Sequence, residues 1–147
     1  MGIRVKGSGK GKEGCMRQDE MAVQRFEVGV AESPYKVEAV CVEAGADLVV
    51  VVGGGARYHC GAVGVSLSLP SLKEVDKLTQ STYQVAVPGH KEEALAREGS
   101  RELARLLQRN VVMSVGIHED DLSKDGIQRY TEAFNDLIEV IGRAYKI

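Results

Sequence analysis

Leu48-Val49-Val50-Val51-Val52 is an unbroken aliphatic run, and Gly53-Gly54-Gly55 ends it at once. Such a run, bounded by glycine, fits a strand covered on both faces. Toward the N-terminus, Tyr35 to Val42 alternates, with Tyr35, Val37, Ala39 and Cys41 on one side and Lys36, Glu38, Val40 and Val42 on the other. Glu32-Ser33-Pro34 is a turn signal before it, and Gln24 to Ala31 alternates again through Phe26, Val28 and Val30. On the other side of the glycines a small-residue strand runs roughly from Cys60 to Leu69. Four such segments at short spacing predict a meander of antiparallel strands.

The second half has a different rhythm. Pro70 to Ser81 is polar and predicts a long exposed loop or a short helical excursion. Tyr83 to Val87 reads as a strand stopped by Pro88-Gly89, and Val111 to Val115 reads as a buried strand. Between them, Glu92 to Gln108 predicts a helix with Leu95, Leu103, Leu106 and Leu107 on its apolar side. Glu92 and Glu93 suit the positive end of its dipole, and with Lys91 they read as a solvated face. Ser123 is a candidate N-cap for a last helix whose stripe is Ile127, Tyr130, Phe134, Leu137, Ile138, Ile141 and Tyr145. The fold class expected is α/β (α+β): a six-stranded mixed, largely antiparallel sheet or sandwich with two packed helices. If the strands at 83–87 and 111–115 are parallel neighbours, their crossover is right-handed.

A length of 147 residues fits one domain, expected over residues 22–147. Residues 1–21 are Gly- and Lys-rich with few bulky apolar side chains, which predicts a disordered tail or a basic interaction arm. The net charge of -2 argues against nucleic acid as the main partner. No apolar run reaches the length of a membrane span, and the start has no apolar signal core, so the cytoplasm is the expected location. With no Trp and two Phe, the core must be built from Val, Leu, Ile and Ala. Of the three cysteines, Cys15, Cys41 and Cys60, the last two sit among Val, Ala and Gly and read as buried reduced thiols.

The three histidines carry the most chemical information. His59, His90 and His118 each follow a strand, with a glycine shortly before. If those strands lie side by side, the three converge at one edge of the sheet. Glycines there admit close backbone approach and positive φ, and a helix start at Gly89-His90-Lys91 offers unpaired N–H groups to an anion. With Arg57 and Lys91 nearby, this suits a phosphate or a carboxylate, although neither GxGxxG nor a P-loop is present. The plainer readings are a hairpin connection at Gly53–Gly55, a packing or capping His90, and a His118 that anchors its loop. Three histidines can hold a catalytic zinc, which leaves a small metal hydrolase as a further reading, but the spacings are long and there is no HExxH pair. Cys60 adjoins His59, yet neighbours in a strand point to opposite faces and make no nucleophile–base pair. No serine lies in a GxSxG turn, so nothing here reads as a catalyst.

At these three segments the chain resembles the LpdD-like prenylated flavin chaperones, small accessory components found alongside UbiD-type decarboxylases. The resemblance rests on Gly54-Gly55, His59 and Gly61-Ala62-Val63, then on Pro88-Gly89-His90-Lys91-Glu92, then on Gly116-Ile117-His118-Glu119-Asp120, and spans roughly residues 35 to 145. Tyr58 stands where the pattern has a proline, Cys60 where it has a bulky aliphatic, and Ala56-Arg57 lengthens the turn. The resemblance implies a non-catalytic chaperone. Such a protein accepts prenylated flavin mononucleotide from a flavin prenyltransferase and helps deliver it to a UbiD-type decarboxylase. On that reading Gly54, Gly55, Gly61 and Gly89 admit the ligand, His59, His90 and His118 supply hydrogen-bond donors, and Lys91 offsets the phosphate charge. The family also resembles proteasome assembly chaperones in fold. A protein-assembly chaperone or structural subunit without cofactor is therefore the alternative, and a homodimer is conceivable.

Overall fold

Backbone pairing and one-sided burial explain the architecture. The computed structural model describes residues 3–7, 18–29, 34–87 and 92–146. In chain order the elements are β1 (Ile3–Gly7), β2 (Met21–Val28), β3 (Val37–Ala44), β4 (Asp47–Gly55), β5 (Arg57–Pro70), β6 (Leu78–Ala86), α1 (Glu93–Leu107), β7 (Val111–His118) and α2 (Lys124–Tyr145). One sheet holds all the strands in the order β1-β2-β3-β4-β7-β5-β6. Among the described residues, β4 and β7 pair in parallel and every other neighbouring pair of strands is antiparallel. The expected mixed sheet with two packed helices is what forms, as a single sheet. Its seventh strand, β1, comes from the stretch read as a disordered tail. Backbone hydrogen bonds to the β2 edge do not require apolar side chains, so composition misses this strand.

Three other expectations change. The meander holds for β2, β3 and β4 and then breaks, because β7 enters between β4 and β5. β6 and β7 run parallel, but β5 lies between them, so they are not neighbours. The expected long loop shrinks to residues 71–77: β5 continues to Pro70 and β6 begins at Leu78, with Ser71 N–H bonded to the Lys77 carbonyl at 2.8 Å. Val30 and the Glu32-Ser33 part of the expected turn lie outside the described residues.

β4 is covered on one face only. Leu48, Val50 and Val52 are buried, while Val51 is 46% exposed. The reason is the placement of the helices. α1 packs on β5, β6 and β7, and α2 packs on β2 and β3, both on the face where Phe26, Cys41, Val50 and Met113 point. The opposite face is almost as rich in valine, so the run looks two-sided in sequence. Its outward residues align across five strands in two rows. One is Val42, Val49, Val112, Val65 and Tyr83; the other is Val40, Val51, Ser114, Val63 and Val85.

α2 is the element closest to its sequence reading. Tyr130, Phe134, Leu137, Ile138, Ile141 and Tyr145 are buried, whereas Ile127 is 42% exposed and falls outside the stripe. Ser123 caps the helix, its hydroxyl accepting from the Gly126 N–H at 3.0 Å. No helix among the described residues is long and apolar enough to cross a membrane. Replacing the cap, Ser123→Ala, is expected to lower stability by about 1 kcal/mol. Denaturant unfolding measures this, and an unchanged midpoint would mean that the cap is not what starts α2.

Candidate functional site

β4 and β7 end together because they are parallel: Gly53, Gly54 and Gly55 stand opposite Gly116, Ile117 and His118. β5 starts at the same end, with Arg57 opposite His118 and Tyr58 opposite Ile117. Pairing then slips and resumes with Ala62 opposite Val115, so His59, Cys60 and Gly61 together face the single residue Gly116. A bulge of this kind bends the strand and re-aims its side chains. Gly116 makes it possible, since a Cβ there would lie 1.4 Å from the His59 carbonyl oxygen. The bulge also exposes Cys60, correcting the expectation of a buried thiol, while Cys41 is buried and its thiol is pushed up to about 12 by that burial.

Two of the three histidines meet. The rings of His59 and His118 are 5.8 Å apart, edge to face. His59 Nε2 lies 3.2 Å from Oε1 of Glu92, the buried residue at the start of α1. His118 Nε2 lies 3.0 Å from an Arg57 guanidinium nitrogen and 3.0 Å from Asp120 Oδ1. A ring nitrogen carries either a lone pair or a proton. It accepts from Arg57 in one state and donates to Asp120 in the other, so the tautomer sets which neighbour is held.

A second group of polar and aromatic residues adjoins the rim. Glu119 Oε2 accepts from the Ala56 N–H at 3.0 Å and from the Tyr130 hydroxyl at 3.1 Å. The same hydroxyl also contacts the Pro34 carbonyl, and its one proton is shared between the two acceptors. Tyr35 meets Tyr130 edge to face at 5.2 Å, and the Arg129 guanidinium lies 5.4 Å from the Tyr35 ring centre. Tyr58 lies against Gly53, where a Cβ would come within 2.6 Å of its ring. Its ring is half-exposed, and burial of the hydroxyl, with Glu38 beside it, raises the pKa above the usual phenol range.

The expected glycines already have uses within the protein. Gly55 has φ +76°, and a side chain there would strike the His118 carbonyl at 2.3 Å. Gly54 is closed in by Val37 and the Lys36 carbonyl, and Gly61 by the Glu92 carboxylate. Gly89, His90 and Lys91 lie outside the described residues, as does Pro88. Sequence reading took Glu92 for a solvated residue, placed Tyr130 in the apolar stripe of the last helix, and gave Glu119 no role of its own in the third motif. Glu92's position directly after Gly89-His90-Lys91 was the available signal. Among the described residues, no group of three or more His, Cys, Asp or Glu is placed to hold a metal ion.

Two measurements test this geometry. In a Cys15→Ser background, one thiol, that of Cys60, is expected to react promptly with an aromatic disulfide reagent and Cys41 only on unfolding; prompt reaction of both would contradict the burial of Cys41. Burial and the Glu119 carboxylate push the Tyr130 hydroxyl up to about 12. A phenol titrates near 10 when unfolded, so its contribution is full below about pH 10 and is lost as pH rises toward 12. Tyr130→Phe is expected to cost about 1 kcal/mol at neutral pH and to flatten part of the alkaline decline. An identical pH profile for the variant would contradict the Tyr130–Glu119 contact.

No curated protein matches this chain. Among solved structures, a crystal structure of a chaperone complex for yeast 20S proteasome assembly aligns over 82% of this chain and 94% of that one, at 8% identity and a TM-score of 0.49. A family profile described as the prenylated flavin chaperone LpdD-like domain matches residues 31–146, which takes in β3 to α2 and the whole histidine rim. The chain belongs to the LpdD-like prenylated flavin chaperone family.

Proposed function

We propose that this protein binds prenylated flavin mononucleotide at the rim formed by His59, His118 and Arg57, and helps deliver it to a UbiD-type decarboxylase. The observation that carries the reading is the meeting of His59 and His118 at one end of the sheet, 5.8 Å apart, within the segment that matches the family. The donor set suits the ligand. Arg57 and two partly exposed imidazoles offer charge-assisted hydrogen bonds to a phosphate or to the polar edge of a flavin. The half-exposed ring of Tyr58 offers an apolar face to a planar ring system. The Glu92 carboxylate, 3.2 Å from Nε2, stands beside His59 at the start of α1.

The flavin supplies the chemistry once it is in the decarboxylase, and the residues here bind and release it. A flavin prenyltransferase is the proposed donor, and the cytoplasm the proposed location. Gly89, His90 and Lys91 directly precede Glu92 in the chain and complete the proposed ligand set. A second reading, a protein-assembly chaperone without cofactor, draws support from the valine rows on the sheet face away from the helices.

Titration of the purified protein with flavin mononucleotide and its prenylated form tests the proposal. Saturable binding of the prenylated form is expected. Arg57→Ala should weaken it about tenfold or more, the value of a hydrogen bond to a charged group. A folded His59→Ala/His118→Ala variant should lose it. If the native protein binds neither flavin, the cofactor reading fails and the assembly reading stands.

A further inference from the structure

β6 ends the sheet, and no strand lies beyond it among the described residues. The Val87 N–H donates to the Gly61 carbonyl and the Ser71 N–H to the Lys77 carbonyl, each at 2.8 Å, at the two ends of an unbroken β5–β6 register. Bonded pairs alternate along an antiparallel ladder, so Thr79, Ser81, Tyr83 and Val85 spend their backbone groups on β5. Gln80, Thr82, Gln84 and Ala86 turn N–H and C=O the other way, to the free edge. Proteins ordinarily blunt such an edge with charge, proline, a bulge or shortness. β1, at the opposite edge, has five residues. β6 has nine, Leu78–Ala86, with no charge and no proline among them.

We infer that the β6 edge docks an extended, acidic segment of a partner protein, which adds to the sheet as a further strand. Charge on α1 selects that segment. Ser66 bonds Thr82 at 2.8 Å and Ser100 of α1 at 3.0 Å, so Thr82 points to the helix side, and Gln80 and Gln84 follow by alternation. Above them, α1 turns its Gly99 and Leu106 flank to Phe134 and Gly142 of α2. The other flank, toward β6, carries Arg97 and Arg101, both exposed and one helical turn apart. Neither has an ion pair among the described residues, whereas Arg105 is held by Glu102 at 2.6 Å. Residues of an added strand that stand opposite Gln80, Thr82 and Gln84 share their face, so carboxylates there reach the two arginines. The residues between them fall beside the exposed Tyr83 and Val85 and suit apolar side chains.

Other occupants fit less well. Two copies joined edge to edge about a two-fold axis would bring the same arginines face to face, and like charges oppose that pairing. The chain's own links are too short. Residues 8–17 join Gly7 of β1 to Gln18, which lies against Gly45 in the β3–β4 turn. By way of β6 that path is about 46 Å, at about 4.8 Å per strand. The intervening chain spans about 38 Å when fully extended. Residues 30–33 lie between β2 and β3, and residues 88–91 are too few to run back along β6.

Fluorescence anisotropy with labelled, capped peptides tests the inference on the full chain without flavin, so the outcome is read apart from cofactor binding. The probe is as long as β6 and alternates glutamate with valine. Saturable binding is expected, and added salt should weaken it. Methylating alternate backbone nitrogens of the probe removes strand pairing but not charge, and should abolish binding. Arg97→Ala/Arg101→Ala should weaken binding about tenfold or more, the value of hydrogen bonds to charged groups. Gln84→Pro removes an outward N–H and none that bonds β5, and should block the edge. If Gln84→Pro does not fold, the methylated probe decides the same point. Failure of the glutamate–valine probe to bind overturns the inference. So does equal binding of a lysine–valine probe or of the methylated probe, or an unchanged affinity in either folded variant.

Discussion

β7 lies between β4 and β5, parallel to the first and antiparallel to the second, and the histidine rim depends on that one placement. Parallel pairing brings the glycine end of β4 level with Gly116 and His118. Antiparallel pairing starts β5 at the same end, which carries Arg57 and His59 to the same spot. The contact is closed by backbone rather than by side chains. Gly116 leaves room for the His59 carbonyl, and Gly55 for the His118 carbonyl. A β-carbon at either position would force the strands apart, and the two imidazoles would separate with them.

The same sheet has a core on one side only. Phe26, Leu48, Met113, Phe134 and Leu137 are fully buried between strands and helices, and both helices are spent on that face. Valine occupies the other face as well, where β-branched side chains fit a pleated surface but leave apolar area in contact with solvent. The rim and the valine face therefore offer different things to other molecules. One presents an arginine, imidazoles and a tyrosine ring at a strand end; the other presents rows of valine.

Legibility in the sequence followed locality. α2, its Ser123 cap and most of its stripe were plain, because three- and four-residue spacing is a local signal. β2, β3 and α1 were legible for the same reason. The position of β7 was not, since it pairs with strands more than forty residues away and no turn residue announces such a partner. β1 was invisible because its pairing is carried by backbone. The histidines were legible as a set, by their recurrence after glycine at strand ends, and two of them do meet. Glu92 was not, because a glutamate in the first turn of a helix is ordinarily solvated. Only tertiary packing shows it turned inward against His59. Cys60 misled for a related reason: small neighbours usually mean burial, but here they accompany a bulge that pushes the thiol out.

The rim also carries a constraint in its proton count. His118 Nε2 has Arg57 and Asp120 at equal distance, and the nitrogen satisfies one of them at a time. With its lone pair on Nε2, the ring holds the guanidinium and leaves Asp120 to solvent, which suits a carboxylate that is 86% exposed. With a proton there, it holds Asp120 and releases the guanidinium outward. Asp120 and the Arg57 guanidinium thus meet on one ring nitrogen, an acceptor and a donor between which the proton on His118 Nε2 decides.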